Sequence, residues 1–143
     1  MSTGKSDTSC PLETYEQQRV VGWASYQSFE GGKVGAFLFA IPNGGSRRKT
    51  CGRISQEALR MKREGVRSGV PDLFLALPSK EGDHGLFIEM KRRIKSLSSV
   101  SDAQRAWQEK LRQAGYRAEI CYGSDEAIAT IKAYLHLGEK NVD

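Results

Sequence analysis

Asp72 stands at the head of the apolar run Leu73-Phe74-Leu75, Glu89 follows seventeen positions later, and Lys91 lies two residues beyond it. Side chains of a β-strand alternate between faces, so Glu89 and Lys91 share one face while Ile88 and Met90 take the other. A charged pair inside an otherwise apolar strand is costly unless something compensates it. A divalent cation would. Mg2+ and Mn2+ favour oxygen ligands and keep several waters, so few carboxylates suffice. Asp72, Glu89 and the backbone carbonyl of Met90 are the candidate ligands. Lys91 is placed to orient an attacking water or to hold a phosphate. Phosphodiester hydrolysis needs these parts: a cation to neutralise charge, an activated water and a group that stabilises the transition state.

These residues need a sheet to hold them. Asp72–Leu77 and Leu86–Lys91 read as two strands joined by the polar turn 78–85, a candidate hairpin. Ala36–Ile41 is a short apolar run ending at Pro42-Asn43-Gly44-Gly45, a buried strand closed by a turn. Arg117–Tyr122 supplies a further strand. A helix starts near Pro11, with Leu12, Tyr15, Val20 and Trp23 as its apolar positions, and fades before Gly31-Gly32. A second helix spans about 55–64, with Ser55 as N-cap and Gly65 as its stop. Ser101 and Gln104 match a capping box for a helix that ends at Gly115. Ser124 is expected to cap the last helix, whose stripe is Ile128, Ile131 and Leu135. The order αβαββαβα predicts an α/β fold, a small central mixed sheet flanked by helices.

The chain has 143 residues, a net charge of +5 and a pI near 9.2. That length suits one domain with a real core, here residues 11–137, between a flexible arm (1–10) and a tail (138–143). The mild basic bias is compatible with nucleic acid. No apolar run is long enough to span a bilayer, and the polar N-terminus has no signal-peptide core. Cys10, Cys51 and Cys121 are odd in number and widely spaced, which reads as reduced thiols in a cytoplasmic setting. His84 and His136 lack zinc-ligand spacing. Cations cluster at Arg47-Arg48-Lys49, at Arg53 with Arg60, Lys62, Arg63 and Arg67, and at Arg92, Arg93 and Lys95, each beside a strand of the candidate site. They are the expected phosphate contacts.

Pro71-Asp72 followed by Glu89-Met90-Lys91 resembles the signature of the PD-(D/E)XK nucleases. The neighbouring Ile41-Pro42-Asn43-Gly44-Gly45, Gly69-Val70-Pro71-Asp72-Leu73, Gln104-x-x-Trp107, Gly115-Tyr116 and Tyr122-Gly123 resemble the VRR-NUC branch of that superfamily. The resemblance implies a restriction-endonuclease-like fold and an enzyme dependent on Mg2+ or Mn2+. The expected substrate is branched DNA, cut by a homodimer as Holliday-junction resolvases do, in the cytoplasm of a bacterial or phage-infected cell. A flap or single-strand nuclease, a nickase and a non-cleaving DNA-binding module are the alternatives. It also implies that Asp72 and Glu89 bind metal, that Lys91 is the catalytic lysine, and that a glutamate on the first helix contributes. Glu13, with Gln17 one turn on, fits that role, and Glu16 is its rival. Gln104 is read first as part of the capping box and second as a residue projecting toward the site.

Overall fold

A computed structural model describes residues 10–42 and 55–138. The order is α1 (Glu13–Tyr26), β1 (Ser28–Phe29), β2 (Gly32–Lys33), β3 (Leu38–Ala40), α2 (Gln56–Arg63), β4 (Leu73–Leu75), β5 (Leu86–Lys91), α3 (Asp102–Gln113), β6 (Arg117–Tyr122) and α4 (Ser124–Tyr134). Strands β3-β4-β5-β6 form one sheet. Its first two pairings are antiparallel and the β5–β6 pairing is parallel. The fold is therefore α/β with a mixed four-stranded sheet, and the expected hairpin β4–β5 is at its centre.

Alternation along the strands gives the sheet two different faces. Leu38, Leu73, Leu75, Leu86, Ile88 and Met90 point to one side and pack with Val20 and Ala24 of α1 and Ala127, Ile131 and Tyr134 of α4. Phe39, Phe74 and Phe87 pair across the other side, the one that also carries Glu89 and Lys91. Helix α3 covers part of this second face, burying Gln104, Gln108 and Leu111.

Several local expectations are corrected. Leu12 is the N-cap of α1, so Pro11 lies before the helix rather than in its first turn. Leu12 and Tyr15 are exposed, and the buried face of α1 is Glu16, Val20 and Ala24. A buried glutamate shifted that face away from the apolar stripe. The segment after α1 forms a two-stranded hairpin, β1–β2, that the sequence pattern did not announce, because its strands are only two residues long. The cap of α4 is Gly123, at φ 88°, and Ser124 is the first helical residue, buried with an unpartnered hydroxyl. Cys10, assigned to a flexible arm, is buried, and its carbonyl accepts from Arg92 Nη2 at 2.6 Å. Cys10 and Cys121 are free thiols. Among the described residues no helix is long and apolar enough to cross a membrane.

Candidate active site

The β4–β5 register fixes the acids. Leu73 pairs with Ile88, so Asp72 and Glu89 are the next directly opposed positions, and opposed residues of an antiparallel pair share a face. Asp72 Oδ2 accepts from the Met90 backbone N–H at 2.7 Å, which ties the carboxyl group to β5. The sequence placed the Met90 carbonyl among the candidate ligands; the structure adds a Met90 N–H that orients the Asp72 carboxyl group. Its side chain lies in the core on the other face.

Glu89 and Lys91 are 2% and 4% exposed. Lys91 Nζ donates to the Ser99 carbonyl at 2.8 Å and to Gln104 Oε1 at 3.0 Å, and lies 3.7 Å from Glu89 Oε1. Gln104 Nε2 donates to the same Glu89 oxygen at 2.9 Å. The second Glu89 oxygen, Oε2, is buried without a hydrogen-bond partner. Burial, then the facing charge of Asp72, push the Glu89 carboxyl up to about 8, against the opposing pull of Lys91. Burial also raises Asp72, only partly offset by the Met90 hydrogen bond. Two carboxyl groups that cannot comfortably both ionise, one with an orphaned oxygen, form an anionic site short of positive charge.

Gln104 meets both readings given to it. Its Oε1 accepts from the Ser101 backbone N–H at 3.0 Å, and its own N–H donates to Ser101 Oγ at 3.1 Å, completing the capping box. The same amide bridges Glu89 and Lys91. One side chain thus closes the first turn of α3 and sets the two charged groups of β5.

On α1 the two rival glutamates separate. Glu13 accepts from Ser98 Oγ at 3.4 Å, and its charge raises the pKa values of Asp72 and Glu89. Glu16, fully buried, pairs with Arg93 and accepts the Ser124 backbone N–H. It joins α1 to the end of β5 and the start of α4. A Cβ on Gly123 would sit 2.8 Å from Glu16 Oε2, so only glycine leaves room for that contact. Gln17 is half-buried on α1, one turn beyond Glu13.

The cations divide. Arg60, Lys62 and Arg63 are exposed on α2. Arg92 donates to the Cys10 and Pro11 carbonyls, and Arg93 pairs with Glu16, so both are committed to holding the chain together rather than standing ready for a phosphate. Arg47, Arg48, Lys49 and Arg53 lie outside the described residues. Reasoning from sequence missed Ser98 and Ser99, whose hydroxyl and carbonyl support Glu13 and Lys91; a serine-rich loop gives no signal of which serine faces inward. It also missed the close packing at Gly69 (φ 87°), where a Cβ would lie 2.8 Å from the Ala103 backbone. That approach brings α3 against the segment leading to Asp72.

Among the described residues no group of three or more His, Cys, Asp or Glu side chains is placed to hold a metal ion. The pair Asp72 and Glu89 nevertheless fits a hard dication. It offers carboxylate oxygens facing one another, and such ions complete their shell with water.

A mixed sheet with opposed acids and a lysine on its central hairpin is compatible with a nuclease of the PD-(D/E)XK type. The family model for the VRR-NUC domain matches residues 13–125, and the chain belongs to that family. A solved structure described as a VRR_NUC domain protein is 29% identical, with a TM-score of 0.71, over 91% of this chain and 93% of that one. No curated protein matches.

Proposed function

We propose that the domain, residues 11–137, is a Mg2+- or Mn2+-dependent DNA endonuclease acting on branched DNA as a homodimer. The observation that carries this is the opposed pair of acids Asp72 and Glu89, with Lys91 Nζ 3.7 Å from Glu89 Oε1. Asp72 and Glu89 would hold the ion, with the Met90 carbonyl as a further oxygen. A bound dication supplies a Lewis acid for the scissile phosphate and a more acidic water.

The chain's own groups do the rest. Ser99 and Gln104 engage two of the three N–H groups of Lys91, which leaves the third for the phosphate or the attacking water. Gln104 keeps Glu89 turned toward Asp72. Glu13 adds negative charge that attracts a cation to the pair. Gln17 sits behind Glu13 on the same helical face. Arg60, Lys62 and Arg63, together with Arg47, Arg48, Lys49 and Arg53, supply phosphate contacts. Arg92 and Arg93 act there only indirectly, by fixing the strand end that carries Lys91.

Cutting two opposed strands of a junction symmetrically calls for a twofold dimer. The test is incubation of wild type and Lys91→Ala with junction, flap and plain duplex DNA, with metal and with EDTA. Metal-dependent cleavage, selective for branched DNA and lost in the variant, is expected. Cleavage surviving both EDTA and the substitution rejects the assignment, and tight binding without cutting in any metal identifies a binding module instead. Sedimentation with junction DNA tests the dimer; a bound monomer rejects the symmetric scheme.

A further inference from the structure

The second face of the sheet carries an aromatic ribbon that catalysis by Asp72, Glu89 and Lys91 does not use. Phe39 meets Phe74 edge-on at 5.5 Å, Phe74 stacks on Phe87 at 4.3 Å, and Phe87 meets Tyr116 edge-on at 5.3 Å. The ribbon is seated on backbone: a Cβ on Gly85 would lie 2.6 Å from the Phe74 ring. The hydrophobic core lies on the opposite face, so these rings are not part of it. At the outer end, on edge strand β3, Phe39 remains 50% exposed.

The ribbon is continuous with the acids. Phe74 is two residues beyond Asp72 and Phe87 two residues before Glu89, all on one face. One pleat repeat, about 6.6 Å, separates the carboxylates from the nearest rings. That is within the span of neighbouring nucleotides in an extended strand. We infer that the ribbon from Phe39 to Tyr116 is a stacking surface for unpaired nucleobases of the strand whose phosphate lies at Asp72 and Glu89. Paired bases have both faces covered by their neighbours, so only an unpaired segment can use it. Aromatic rings take any base in this way, without reading sequence. The exposed cations of α2 complement the phosphates of such a strand in charge.

The inference rests on the nuclease reading for its registration with the acids, but its test does not require turnover. Binding of labelled oligothymidylate, and of a blunt duplex of equal length, is measured in EDTA for wild type, Phe39→Ala and Phe39→Leu. Both variants are expected to bind oligothymidylate about tenfold more weakly, with duplex binding unchanged. Phe39→Leu keeps an apolar side chain of similar reach on the edge strand, so its loss cannot be assigned to unfolding. Equal losses on both probes, or unchanged oligothymidylate binding, would overturn the stacking surface. None of these results touches the metal-dependent cleavage test, so the two readings fail separately.

Discussion

Glu16 and Glu89 are both buried, yet the chain treats them in opposite ways. Glu16 receives an arginine and a backbone N–H, so its charge is answered from within the fold. Glu89 receives an amide and a more distant ammonium on one oxygen, no donor N–H on the other, and a second carboxyl group across the ladder that competes with it for charge. The first arrangement joins three elements. The second holds charge in a state that a ligand must complete. A buried acid therefore signals function less by its burial than by what the fold leaves unanswered around it.

Four experiments would break or sharpen this contrast. The largest effect is on rate: Glu89→Gln and Lys91→Ala should each lower metal-dependent cleavage at least about a hundredfold, in single-turnover assays with a junction substrate. Glu16→Gln should leave the residual rate of the folded protein close to wild type. Loss of cleavage in Glu16→Gln at temperatures where it is fully folded would erase the distinction.

The next effect is on stability against pH. The Glu89 carboxyl goes from 4.5 in the unfolded chain to about 8 when folded. Between those values the folded state holds the extra proton, so metal-free stability falls as pH rises through this window, by a few kcal/mol. Asp72, also raised, acts with the same sign. Thermal melts in EDTA from pH 5 to pH 9 should decline less steeply for Glu89→Gln than for wild type. Mn2+ should raise the wild-type midpoint and leave that of the variant nearly unmoved.

Third, Glu16→Gln should cost about 2 kcal/mol by losing charge-assisted hydrogen bonds, moderated because Arg93 is partly solvated. Denaturant titration measures it. The smallest effect comes from two glutamines one turn apart on α3. Both amide atoms of Gln104 meet partners, whereas neither amide atom of Gln108 does. Gln108→Met should be neutral or stabilise by about 1 kcal/mol, while Gln104→Met destabilises by a similar amount. Equal effects at the two sites would show that the amide network around Glu89 carries no energy.

Much of this was legible in the sequence. Period-two alternation placed Glu89 and Lys91 together and Met90 away from them, and the capping box at Ser101 and Gln104 was readable from residue type and spacing. The ambiguity between Glu13 and Glu16 was not resolvable there. The two are nearly in line on one helix, and only the position of Arg93, 77 residues from Glu16 in sequence, decides which is buried. The apolar face of α1 was misread for the same reason, since a charged residue occupies a core position. The cap of α4 was assigned to Ser124 by residue preference, yet a glycine was needed where the backbone turns left-handed and a carboxylate presses close. The double use of Gln104 was equally hidden, because a capping box accounts for the residue completely until the strand beside it is in place.

That double use ties the endurance of the proposed site to the end of a single helix. Helix ends fray before domains melt. When the first turn of α3 opens, the amide that spans Glu89 and Lys91 leaves with it. Warming should therefore disarm the protein while most of its structure is still intact, and the temperature of half-inactivation should fall below the temperature of half-unfolding.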